Sequence, residues 1–353
     1  MRRRTLLTSA GALAFAGACG RFPPFRGPHR GITLDPWRAR PTLADFQTLR
    51  ALGASHVALF PFGYMPHYTE PEVRRFEEGH LLMDWALTDE AFLEMGRLAR
   101  KARLRMVLIP TLADFLDGHW RGEVRMEDDA SWDAWFDSYR DFVLHYAELA
   151  ERMQAVGFSV GTELRRTVLM REQWLHTIAR VRERFGGWLT YAANWDDYAQ
   201  VSWWRAVDFI GVQAYFELGD PGGDPVRARD RLVDAWTPAK EGLETVSRQF
   251  DRKIFFTEVG YKSHEGSTIQ PWDWELRGEV DTSLQAHAYE AAFRVFWTEP
   301  WFAGFYWWKW HPALGLSQDR SREFTPQGKE AELVLRRWYR GGGGGGGGGG
   351  GIT

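Results

Sequence analysis

Apolar residues in this chain fall into two alternating kinds of stretch. In one kind they run together for a few positions between turn-forming residues. In the other they recur at every third or fourth position over a longer span. The first kind reads as a buried strand, the second as an amphipathic helix. The predicted strands are Gly31–Leu34, His56–Phe60, Arg105–Ile109, Phe158–Thr162, Trp188–Ala193, Val207–Tyr215, Lys253–Thr257 and Ala303–Trp308. A helix capped by Thr42 carries Phe46, Leu49 and Leu52 and closes at Gly53; further helices are expected over 89–103, 131–156, 171–184, 226–249, 282–298 and near 328–338. Strands alternating with helices imply parallel strands joined by helical crossovers, and eight such units imply an α/β fold of the (β/α)8 TIM-barrel type in a single domain. A doubly wound sheet would carry Gly-x-Gly-x-x-Gly between a strand and a helix. Only the glycine run 341–351 matches that pattern, and it does so trivially.

The two ends depart from this pattern. Arg2-Arg3-Arg4 precedes an apolar stretch to Gly17 that is too short for a bilayer span and fits an export signal. Arg3-Arg4-Thr5-Leu6-Leu7 resembles a twin-arginine signal, and Ala16-Gly17-Ala18-Cys19 resembles a bacterial lipobox with Ala16 in place of the usual leucine. Cys19 is the only cysteine, so no intrachain disulfide can form, and lipidation at Cys19 is expected. The chain thus divides into a signal (1–19), a tether (20–30), a catalytic barrel (31–340) and a glycine-rich tail (341–353). The expected location is a bacterial membrane surface, periplasmic or external, with the lipid as sole membrane contact.

Composition narrows the partners. A formal net charge of −3 excludes nucleic acid as the main ligand, since phosphate binding needs a basic face. Tryptophan is abundant at 19 residues, which serves either core packing or stacking on pyranose rings; composition does not choose. The ten histidines form neither His-x-His on the first strand nor His-Glu-x-x-His, so no metal or other cofactor is expected. Asp128-Asp129 and Asp196-Asp197 read as loop or cap residues.

In a barrel of this kind reacting groups sit at the C-terminal strand ends. Those ends carry Glu163 on the fourth strand, Asn194 on the fifth, Tyr215 on the sixth, Glu258 on the seventh, and Trp308 and Trp310 on the eighth. Alternation places Ser159 and Gly161 with Glu163 toward the axis, and Gly211 and Gln213 with Tyr215. Two carboxylates over one pocket are what glycoside hydrolysis uses.

Trp120-Arg-Gly122, Phe158-Ser-Val-Gly-Thr-Glu163, Leu189-Thr-Tyr-Ala-Ala-Asn-Trp195, Asp208-Phe-Ile-Gly-Val-Gln-Ala-Tyr215, Phe256-Thr-Glu-Val-Gly-Tyr261 and Trp308-Lys-Trp310 together resemble glycoside hydrolase family 113, within the clan of retaining (β/α)8 glycosidases. That resemblance implies a β-1,4-mannanase-like hydrolase with Glu163 as acid/base and Glu258 as nucleophile. It implies that Tyr215 hydrogen-bonds the nucleophile and that Trp308 floors the subsite of the reacting sugar. Asn194, Trp120 and Trp310 are further candidates for sugar contact. Thr162 stands where the clan often has Asn, and Ile109-Pro110-Thr111 where it has Lys-Pro-His, which leaves the sugar open between mannan and other β-glycans such as glucan. A retaining pair should lie about 5–5.5 Å apart. Glu258 is expected ionised beside Tyr215, and Glu163 in a more apolar or anionic setting that holds its proton. The competing readings are a non-catalytic carbohydrate-binding lipoprotein and a phage-tail-like structural barrel. A monomer is expected.

Overall fold

The structure, a computed structural model, describes residues 27–37, 39–76, 84–115, 118–222, 224–275, 277–313 and 320–341. The export signal, Cys19 and the glycine tail beyond 341 lie outside the described residues.

Eight parallel strands close a barrel in sequence order: β1 (His29–Leu34), β2 (His56–Leu59), β3 (Arg105–Leu108), β4 (Gly157–Thr162), β5 (Trp188–Asn194), β6 (Ile210–Gln213), β7 (Ile254–Val259) and β8 (Phe302–Trp310), with β8 pairing back onto β1. The helices are α1 (Leu43–Leu52), α2 (Asp89–Lys101), α3 (Asp129–Arg152), α4 (Arg171–Arg182), α5 (Pro225–Ala235), α6 (Thr237–Phe250), α7 (Thr282–Phe296) and α8 (Glu330–Tyr339). The expected single helix over 226–249 is two. Pro238, at the start of α6, lacks an N–H and crowds the carbonyl one turn back, so the chain breaks at Trp236. The Trp236 ring then stacks on Phe256, 6.0 Å away between centroids. A small sheet of Phe62–Tyr64, Arg74–Arg75 and Thr111–Leu112 lies in the loops, in strands too short to leave a periodic signal.

Strand alternation sorts the core into two layers. Val57, Leu59, Met106, Leu108, Phe256, Phe305 and Trp307 pack outward under the helices, while Ala58, Val107, Ile109, Phe255 and Tyr306 fill the barrel. At its lower end the His29 and His56 rings stack at 4.0 Å, and the Tyr306 hydroxyl lies 3.1 Å from Nδ1 of His29. Burial pushes the His29 imidazole down to about 3 and His56 well down too, so both are neutral packing groups. The barrel is a filled core, and its chemistry is confined to the mouth.

Candidate active site

Three strand bulges set the mouth. Between Ser159 and Thr162, β4 has one more residue than β5 opposite it, from Thr190 to Ala192. A bulge of this kind shifts the side-chain phase by one. Gly161, expected inward, therefore faces the helices: a Cβ there would meet the rings of Trp174 and Tyr191 and the Tyr139 hydroxyl. After the bulge Glu163 adopts φ 54°, a left-handed conformation that costs a non-glycine residue on the order of 1–3 kcal/mol. Its own N–H donates to the Ala192 carbonyl at 2.8 Å, and the next N–H, of Leu164, donates to the Tyr191 hydroxyl at 2.8 Å; together they hold the elbow.

Glu163 is 8 % exposed. Its Oε2 accepts from the Trp120 indole N–H at 3.2 Å and from Nη1 of Arg121 at 2.5 Å. Arg121 also donates from Nε to the Leu112 carbonyl at 2.5 Å and pairs with Asp114 at 3.2 Å, so its guanidinium is fixed from the loop side. The Arg165 guanidinium lies over the Trp120 ring, 5.1 Å from its centroid, and pairs with Asp196. Asn194 donates its amide to Asp196 at 2.7 Å and accepts from the Asp197 N–H at 3.2 Å, so it caps the turn after β5. Asp197 is no solvated loop residue: it is fully buried, and burial pushes its carboxyl up to about 7 against the opposing charge of Arg165.

The second bulge lies in β7, where Phe256 to Glu258 spans two steps and β6 only one, Val212 to Gln213. Both Thr257 and Glu258 thus turn toward Gln213. Thr257 Oγ1 donates to Gln213 Oε1 at 2.7 Å, Gln213 Nε2 donates to Glu258 Oε1 at 2.6 Å, and the Tyr215 hydroxyl donates to Glu258 Oε2 at 2.7 Å. Glu258 is 7 % exposed. Its carboxyl is pushed up to about 8, first by burial and next by the charge of Glu163, against the opposing hydrogen bonds of Tyr215 and Gln213 and the charge of Arg121. For Glu258 the outcome is opposite to the expectation: its carboxyl is pushed up, not down, and the cation reaches Glu163.

The third bulge, where β1 advances from Ile32 to Leu34 while β8 advances from Trp307 to Trp310, separates the two tryptophans of the last strand. Trp308 stays at the mouth, half-buried, with Phe60 edge-on at 5.3 Å and Trp274 edge-on at 6.0 Å. Trp310, expected beside it, is 4 % exposed and packs in the outer core. Sequence reading missed Arg121, Gln213 and Trp274 as site groups. Gln213 had a signal in its inward phase with Tyr215, and Arg121 lies inside the Trp120-Arg-Gly122 stretch; Trp274 had none.

Other chemistries find no support at the mouth. Residues 157–161 spell Gly-x-Ser-x-Gly, but Ser159 lies within β4, is fully buried and donates to the Gly161 carbonyl at 2.7 Å. A serine nucleophile needs the exposed turn after a strand. Among the described residues no group of three or more His, Cys, Asp or Glu side chains could hold a metal ion.

The profile of Glycoside Hydrolase Family 113 matches residues 32–329. A family 113 β-mannanase of Alicyclobacillus acidocaldarius, solved in complex with ManMIm, is 31% identical with a TM-score of 0.76, covering 89% of this chain and 97% of that one. A second family 113 β-1,4-mannanase structure is 25% identical with a TM-score of 0.74, covering 89% of this chain and 99% of that one. A Ruminococcus gnavus β-glucuronidase, 14% identical with a TM-score of 0.56, shares the fold over 89% of this chain and 50% of its own length. No curated protein sequence matches this one.

Proposed function

This chain belongs to glycoside hydrolase family 113, and from that premise we propose that it cleaves β-1,4-mannan internally, by double displacement, with Glu163 as acid/base and Glu258 as nucleophile. The observation that carries this reading is the pair of buried carboxylates at the ends of β4 and β7, each with its own donors and both within the field of Arg121. Two carboxylates that repel each other in a buried site hold one proton between them over a broad pH range. Double displacement needs that stoichiometry.

Arg121 and Trp120 both engage Oε2 of Glu163, which leaves Oε1 to carry the proton toward the leaving oxygen. When a sugar sits between the carboxyls, the proton passes to Oε1 and Glu258 is left charged, supported by the Tyr215 hydroxyl and the Gln213 amide. The Glu258 carboxylate attacks the anomeric carbon. The glycosidic C–O bond breaks, and its electrons go to the leaving oxygen, which takes the Glu163 proton. Glu163, now anionic, removes a proton from water. That water attacks the same carbon and frees Glu258, so the configuration is retained. Because the pair must keep one proton, activity should fall above about pH 8, where Glu258 loses it.

The non-catalytic alternative gives no role to two buried carboxylates with dedicated donors. The test is digestion of β-mannan, β-glucan and mixed-linkage glucan by the purified protein, with NMR of the first-formed anomer. Release of β-configured manno-oligosaccharides is expected. An α-anomer as first product would overturn the mechanism, and cleavage of glucan alone would overturn the substrate. In a second arm, Glu163→Ala with azide and an activated aryl glycoside should give a β-glycosyl azide; an α-azide would exchange the two roles.

A further inference from the structure

Arg165 stands two residues past Glu163, at the start of the short turn that follows β4. Its contacts run to the loops around the mouth and not to either carboxylate of the pair. The guanidinium lies over the Trp120 ring, 5.1 Å from the centroid, pairs with Asp196, and brings Nε to 3.5 Å from Oδ2 of Asp197. Trp120 is held on its own loop as well. Its backbone N–H donates to Glu123 at 3.0 Å, and its ring rests on Gly122, where a Cβ would come within 2.0 Å of it. The indole N–H then donates to Oε2 of Glu163 at 3.2 Å. Asp197 is the costly member of this chain of contacts. It is fully buried, and neither its carboxyl oxygens nor Nε of Arg165 make a hydrogen bond among the described residues. A buried ion pair with such loose geometry adds little to stability, so packing does not account for it. The charges that face Asp197 are Arg165 and Glu163 from the end of β4 and the turn after it, and Asp196 beside it; the Tyr191 hydroxyl lies near, and the Asn194 backbone N–H faces it outside hydrogen-bond geometry.

We propose that Arg165, anchored by Asp196 and Asp197, is a positioning residue for the acid: it clamps the Trp120 ring and through that ring sets the direction of the Glu163 carboxyl. The inference rests on the glycosidase reading above and adds to it a residue that touches no reacting atom. The need for it comes from rotation. The terminal torsion of a glutamate is soft, so a carboxyl gripped at one point by Arg121 still turns about its last bond. A second donor on the same oxygen, the Trp120 indole, fixes the plane and leaves Oε1 and its proton aimed at the leaving oxygen. Proton transfer depends on that aim. The indole contact is the longer of the two, so it is the first lost when the ring swings. A guanidinium over an indole face resists the swing, and the two aspartates hold the guanidinium in place.

The experiment compares phenyl β-mannobioside with 2,4-dinitrophenyl β-mannobioside, which share their sugars and differ in how much the leaving oxygen needs a proton. Phenoxide needs the acid, and dinitrophenoxide leaves without it. Arg165→Ala should lower kcat/KM at least tenfold for the phenyl glycoside and less than threefold for the dinitrophenyl one. Trp120→Phe, which removes the indole N–H, should show the same split. Arg165→Ala added to Trp120→Phe should then deepen the phenyl loss by less than threefold, because both act on one contact. If Arg165→Ala does not fold, Arg165→Lys, which keeps the anchoring charge and gives up the planar stack, decides by the same split. Asp197→Asn tests the anchor. Burial, opposed by Arg165, holds the Asp197 carboxyl at about 7 against an ordinary 3.8, so its contribution to stability is complete below about 3.8 and is lost as pH rises through 7. Relative to the wild type, Asp197→Asn should therefore slow the phenyl glycoside at pH 8 and not at pH 5.5, while its Tm at pH 8 rises. A loss independent of pH, or a fall in Tm at pH 8, would overturn Asp197 as the anchor. Equal losses on the two glycosides in the Arg165 variants, or none on either, would overturn the positioning role; so would a loss confined to mannan, which would make Arg165 a sugar contact. A wild-type protein that cleaves neither glycoside nor mannan would instead remove the glycosidase reading.

Discussion

Replacing Glu258 with glutamine should change the pH dependence of stability more than any other single substitution at the mouth. The folded protein holds the Glu258 carboxyl at about 8 against an ordinary value of 4.5. A carboxyl raised on folding binds its proton more tightly in the folded state, so its contribution is complete below about 4.5 and is lost as pH rises through 8. Each unit of displacement corresponds to about 1.4 kcal/mol, which puts the loss from pH 5 to pH 8 at about 3–5 kcal/mol. Glu258→Gln keeps the shape and can accept from Tyr215, while rotation of the Gln213 amide satisfies the new donor. The variant carries no charge to bury, so it should match the wild type near pH 5 and exceed it increasingly toward pH 8. In a barrel of this size that is a gap in Tm on the order of 5 °C at pH 8. Thermal unfolding of both proteins at pH 5, 6.5 and 8 reads it directly. Glu163→Gln should flatten the wild-type slope in part, because the charge of Glu163 is the second cause of the displacement and burial the first. If wild type and Glu258→Gln run parallel from pH 5 to pH 8, Glu258 is not the group holding the proton and the account of the pair is wrong.

The same hydrogen bonds predict kinetics. Tyr215→Phe removes a donor that favours the charged form of Glu258, a bond of about 1.5–3 kcal/mol to a carboxylate, so the alkaline limb of kcat/KM should move up by about 1–2 pH units while kcat falls; an unmoved limb would deny Tyr215 that role. Trp308→Ala should lower kcat/KM at least tenfold with the circular dichroism spectrum and Tm little changed, whereas loss of the folded signal would make Trp308 a core residue. We propose further that Cys19 is lipidated and anchors the exported protein to the membrane; mass spectrometry of protein from its native host should find a diacylglyceryl N-terminal Cys19, and an unmodified N-terminus beyond that position would dismiss the anchor.

The sequence by itself determined the barrel and the two strand-end glutamates. Alternating short apolar runs and helical periodicity are local properties, and eight such units leave one compact arrangement of parallel strands. The order of the strands and Glu163, Tyr215 and Glu258 at their ends were legible for that reason. The tertiary structure alone decided how those ends work. Side-chain phase along a strand survives only until a bulge, and a bulge is defined by the neighbouring strand: the ones in β4, β7 and β8 turned Gly161 outward, brought Thr257 and Glu258 together onto Gln213, and sent Trp310 into the core away from Trp308. Arg121 reaches Glu163 from a loop 42 positions earlier, a contact with no periodic trace. The displacement of the Glu258 carboxyl was beyond the sequence for the same reason: burial and Coulomb interactions depend on distances through space, and here they sum over groups from β4, β6, β7 and the Arg121 loop that become neighbours only when the barrel closes.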